Sequence, residues 1–148
     1  MILDGYLIFD SAAALTSTAA STNIFDLQNA RDMGVGDDPA LKLFCTVTTA
    51  FQSTGSSTLD VALQGSTDGS TWDTYLSLPQ IAKSALVAGF RFGNVDWPRV
   101  APGKSRPRYL RLYYTVGTAD FTAGALSAML VLDRQDQISY PPGIGISN

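Results

Sequence analysis

Between Arg108 and Asp133 the chain reads RYLRLYYTVGTADFTAGALSAMLVLD, and the spacing of its apolar residues leaves little choice of structure. Leu110, Leu112, Tyr114 and Val116 fall on every second position, with Tyr109, Arg111, Tyr113 and Thr115 between them. That is the period of a strand covered on one face. Leu126, Ala128, Leu130 and Leu132 repeat the pattern against Ser127, Met129 and Val131, and Gly117 and Gly124 bracket the link. The two runs are expected to pair as a hairpin. Two strands alone bury too little surface to offset the backbone entropy lost in ordering them, so the rest of the chain is expected to supply a second sheet.

Further strands can be read upstream. Leu41, Leu43, Cys45 and Val47 form one face of a strand, and Leu59, Val61 and Leu63 one face of the next, across the polar loop QSTGSST. Asp60 and Gln64 then point away from the core, toward water or another chain. In GSTDGSTW, Asp68-Gly69 is the strongest turn signal of the sequence, and a new strand starts at Trp72. After Pro79 an irregular stretch leads into a strand carrying Leu86, Ala88, Phe90 and Phe92. Shorter strands are read at Gly5–Asp10 and Asn23–Gln28. The segment from Ser11 to Thr22 is rich in Ser and Thr and lacks charged i,i+4 pairs, so an extended arm is expected there rather than a helix. NARDMGVGDDPA, from Asn29 to Ala40, is a loop. About eight short strands with turn signals between them predict an all-β, antiparallel β-sandwich. A jelly roll is the leading topology and an immunoglobulin-like sandwich the second.

The chemistry available is narrow. None of the 148 residues is histidine, which removes the commonest general base and the commonest nitrogen ligand for zinc. The single Cys45 lies in the apolar run LKLFCTVT and reads as a small buried hydrophobe. Asp37 and Asp38 are neighbours whose side chains diverge in extended backbone, without the further carboxylates of a calcium loop. Lys83-Ser84 has no glycine-rich elbow to build an oxyanion hole. Asp60, Asp68, Asp73 and Asp120 show no convergence of the kind a glycosidase pair needs. No enzyme activity, cofactor or metal is therefore expected. A net charge of −3 supplies no basic field for nucleic acid, and no apolar run approaches the roughly 18 residues of a spanning helix. The start, MILDGYLIFD, lacks the positive region of a secretion signal, so the chain is expected to stay in the cell that makes it.

With 45% hydrophobic and only 16% charged residues, much of the surface must consist of Ser, Thr, Asn and Gln, a composition suited to meeting other protein. Candidate contact residues lie where the chain is apolar yet weakly structured. They are Leu7 and Phe9 in an amino-terminal arm (about 1–22), Trp97 and Arg99 in the connection NVDWPRVAPGKSRP, and Tyr140, Ile144 and Ile146 in a tail (about 138–148). Both ends are expected to order only against neighbours.

MILDGYLIFDSAAALT, TAASTNIFDLQNARDMGVGD, TLDVALQGSTDGSTW and RYLRLYYTVGTADFTAGALSAMLVLD, in that order, resemble the capsid cement or decoration proteins of podovirus-type tailed bacteriophages. The resemblance spans nearly the whole single-domain chain. It implies a jelly roll made in the host cytoplasm that binds the capsid exterior of the virion as a homodimer or homotrimer and braces the major capsid protein lattice. It brings no catalytic residues with it. A second resemblance points elsewhere. GSTDGSTW followed by RYLRL is similar to discoidin-type carbohydrate-binding modules, in which that pattern holds the sandwich together. Trp72, Trp97 and Tyr113 are the aromatics that such a module would offer to a sugar.

Overall fold

The computed structural model describes residues 7–30, 41–96, 98, 100 and 103–131. Their strands are β1 (Ile8–Ala14), β2 (Ala19–Ala20), β3 (Phe25–Asp26), β4 (Lys42–Gln52), β5 (Thr58–Ser66), β6 (Asp73–Ser77), β7 (Ile81–Ala82), β8 (Arg91–Asp96), β9 (Tyr109–Gly117) and β10 (Ala123–Val131), with a 3-10 turn at Lys83–Ala85. One sheet has the order β1-β10-β4-β8. The other runs β2-β9-β5-β6, with β3 added to β9 and β7 to β5. Every pairing is antiparallel.

Apart from the two-residue β3 and β7, the strands pair first with last and so on inward: β1 with β10, β2 with β9, β4 with β8, β5 with β6. The chain is thus one long hairpin folded over on itself, which is the jelly roll. Alternation places the core as expected. Leu43, Cys45, Val47, Leu126, Ala128 and Leu130 from the first sheet meet Leu59, Val61, Leu63, Leu110, Leu112 and Tyr114 from the second, all buried.

Three expectations need correction. The runs Arg108–Val116 and Gly124–Leu132 do not pair as a hairpin; β9 lies in the second sheet and β10 in the first. The link between them is tied to the β1–β2 loop and to the end of β4. Phe121 N–H donates to the Thr16 carbonyl at 2.8 Å and Thr122 N–H to that of Gln52 at 2.7 Å. Thr118 takes a positive φ of 72°, and Phe121 is buried edge-on to Phe51 with ring centroids 4.7 Å apart. Gly124 (φ 151°) admits the Phe51 ring where a Cβ would collide with it, so the glycine is required by this end of the sandwich.

The second correction concerns the amino-terminal arm. From Ile8 onward it belongs to its own domain, passing from the first sheet in β1 to the second in β2. Phe9 is wholly buried and stacks on Phe25 with centroids 4.0 Å apart, so it faces its own core and not a neighbour. Asp10 is 1% exposed, and its carboxylate accepts the Tyr114 hydroxyl at 2.6 Å and the Thr22 N–H at 2.9 Å. One buried polar group therefore joins β1 to β9 across the core, a role that alternation alone could not reveal. Leu86 is also buried, but it precedes β8 in a turn that ends at Gly89 (φ 84°); the strand expected from Leu86 starts at Arg91.

Candidate docking face

The second sheet presents a polar and aromatic outer face. In register, β9 sets Tyr109, Arg111, Tyr113 and Thr115 opposite Ser66, Gln64, Ala62 and Asp60 of β5. At its centre the Arg111 guanidinium lies 4.0 Å from the centroid of the Trp72 ring and 5.3 Å from that of Tyr113. Its Nε donates to Gln64 Oε1 at 2.9 Å. Half-buried between rings and fixed at one nitrogen, the side chain is held in one place.

Trp72 reaches that position through the turn that precedes it. The Asp68 carboxylate accepts the N–H groups of Ser70 and Thr71, each at 2.8 Å, and the Ser66 hydroxyl at 2.9 Å. Gly69 occupies φ 76° with its N–H on the Ser66 hydroxyl. Those donors, the Thr71 and Ser70 N–H groups foremost, hold the Asp68 carboxyl well below the usual carboxylate range. The turn returns the chain beside β5, with Gln64 opposite Thr74, and carries the indole over the outer face.

Four other cations are engaged by local partners. Arg108 forms a bidentate pair with Asp26, 2.9 Å at each nitrogen, which lowers the Asp26 pKa from its ordinary value. Lys104 meets Asp73 at 2.6 Å and Lys42 meets Asp96 at 3.4 Å. Lys83 donates to the carbonyls of Ser53 and Gly55, at 2.9 and 3.1 Å, and so clasps the β4–β5 loop. Arg111 has no carboxylate partner among the described residues.

A second surface lies where the described chain begins. Leu7, Ile8, Ile24 and Leu27 line an open groove of about 440 Å³, and Ile24 is 50% exposed. Of the residues expected to make contacts, Leu7 is half-buried here and packs against its own core as well. Trp97, Arg99, Tyr140, Ile144 and Ile146 lie outside the described residues, as do Asp37 and Asp38. Among the described residues no group of three or more His, Cys, Asp or Glu could hold a metal ion. Nor is any helix among them long and apolar enough to cross a membrane. Burial pushes the Cys45 thiol well up, so it is not poised as a nucleophile.

Residues 9–130 match the Bbp16 family, from Phe9 on β1 to Leu130 on β10. The chain belongs to the Bbp16 family. No curated protein matches it. The Bbp16 match thus covers the whole roll, including both Trp72 and Arg111. Reading from residues alone did not bring those two together. Its signal was present in the turn after Ser66, which ends on an aromatic, and in a polar arginine at an outward position of β9.

Proposed function

We propose that this protein is a capsid decoration protein of a tailed bacteriophage, bound outside the head as a small homo-oligomer that braces the lattice of the major capsid protein. It works by binding and not by catalysis, and its place is the virion. The observation that carries the reading is the coincidence of resemblance and fold. The stretches that resemble podovirus cement proteins supply β1, β2, β3, β5, β9 and β10, and the strands close into the jelly roll which that resemblance implies. A brace also needs a core that is complete without its partner, and here one apolar cluster spans both sheets. β1 pairs with β10, Ile8 opposite Met129, so the described chain enters and leaves the roll on adjacent strands.

The test is co-sedimentation of the purified protein with undecorated heads, with light scattering on the free protein. Saturable binding and a closed dimer or trimer are expected. A monomer that leaves heads bare at micromolar concentration would contradict the proposal. The carbohydrate-module reading is not favoured, because Arg111 covers one face of the Trp72 ring that a sugar would need.

A further inference from the structure

Four other cations have local partners: Arg108 has Asp26, Lys104 has Asp73, Lys42 has Asp96 and Lys83 has two carbonyls. Arg111 differs in kind. It is half-buried, and it is positioned by contacts that leave its charge unanswered: two aromatic rings and a neutral amide on Nε. Its two terminal nitrogens donate no hydrogen bond to any described residue. Burial lowers its pKa from the ordinary value, Tyr113 acts in the opposite direction, and no carboxylate contributes. An arginine remains charged under such a shift. Partial desolvation strengthens its attraction for an anion, and the stack leaves little side-chain entropy to be lost on binding. The fork of a guanidinium matches a carboxylate through two parallel hydrogen bonds.

We propose that Arg111 anchors a carboxylate-binding site on the outer face of the second sheet, and that the occupant is an Asp or Glu side chain of a partner protein. Trp72, Tyr113 and Gln64 act as positioning residues that hold the guanidinium. A protein partner, whose acidic side chain can reach the guanidinium fork beside the rings, fits this face better than a sugar, whose ring would need the indole face that Arg111 occupies. The inference rests on the decoration reading for the identity of the partner, not for the existence of the site.

Two measurements on the full-length protein separate those questions. In the first, wild type, Arg111→Lys, Arg111→Met and Lys42→Met are co-sedimented with undecorated heads, with folding checked by melting. Arg111→Met should weaken binding at least about tenfold and Arg111→Lys less, since it keeps the charge and loses the fork. Lys42→Met, the same charge change on the other sheet, should bind as wild type does. Undiminished binding by folded Arg111→Met overturns the site.

In the second, the Arg111 Nε–H resonance of nitrogen-15-labelled protein is followed during titration with hexaglutamate, hexaserine and a glucuronic acid hexamer. A shift with hexaglutamate and none with hexaserine is expected. No shift overturns the site, and a shift at lower concentration of the glucuronic acid hexamer overturns the protein partner. If wild type binds no heads, the decoration reading fails while this titration still decides the site; if Arg111→Met does not fold, Arg111→Lys and the titration decide it.

Discussion

β9 and β10 follow one another in the chain, have nine residues each and alternate with the same period, yet they meet different surroundings. β9 buries Leu110, Leu112 and Tyr114 and leaves Tyr109, Arg111, Tyr113 and Thr115 half-buried or exposed. β10 buries both faces. Leu126, Ala128 and Leu130 enter the main core, while Met129 and Val131 join Phe44 and Ile8 in a second apolar cluster on the opposite side of the first sheet. Alternation therefore separates two faces of a strand without saying that one of them is wet. The two sheets of the roll differ accordingly: one keeps a polar, aromatic outer face suited to contact, and the other has an outer face packed along β10, where Phe44 and Ile8 meet Met129 and Val131.

Inward positions should be equally costly in both strands. Leu112→Ala and Leu130→Ala are each expected to lose about 2–5 kcal/mol of unfolding free energy in urea, because both side chains are buried in the shared core. A mild effect in only one strand would break the symmetry of the inner faces. Outward positions should separate them. Met129→Ala on β10 is expected to cost about 2 kcal/mol or more, and Thr115→Ala on β9 less than about 0.5 kcal/mol. Equal costs would mean that the outer faces do not differ.

The bond between strands of opposite sheets offers a sharper test. Tyr114→Phe deletes the hydroxyl that donates to buried Asp10 and should cost about 1–3 kcal/mol, since the carboxylate keeps only the Thr22 N–H among described donors. Arg111→Ala is expected to cost about 1 kcal/mol, from its stack on Trp72. That exceeds what an isolated surface arginine would lose.

The smallest effect is in acid. Asp26 and Asp68 have folded pKa values below the ordinary 3.8. The stability they contribute is therefore fully present above that value and is lost as pH falls through the lower folded values. Thermal melts should show stability declining below about pH 4, with a shallower decline in Asp68→Asn. A variant that melts in parallel with wild type down to pH 2 would show that the turn carboxylate carries none of the acid sensitivity.

Much of this was legible from residues. The inward sets of β4, β5 and β9 follow from period-two spacing, and the Asp68-Gly69 turn from its dipeptide. The near-continuous apolar run of β10 already carried the mark of a strand buried on both faces, in Met129 and Val131 at its outward positions. Strand partners were not legible. Sequence proximity favours a β9–β10 hairpin, and only the backbone donors of Phe121 and Thr122, directed to Thr16 and Gln52, take the link across the sandwich. β2 was missed because a pair of alanines carries no alternation. Phe9 was assigned outward because its partner ring, Phe25, lies in a strand of two residues with no pattern of its own. The Trp72–Arg111 stack depends on register between strands that are distant in sequence, which local spacing does not encode.

The separation of β9 from β10 is tested most directly by nuclear Overhauser contacts between backbone protons in uniformly labelled protein. The fold predicts cross-strand contacts for Ala128 with Cys45, Met129 with Phe44 and Leu112 with Leu63, and none between the backbones of β9 and β10. A ladder of contacts joining residues 110–116 to 124–130 would contradict it, because the chain would then close as a local hairpin and the jelly roll could not form.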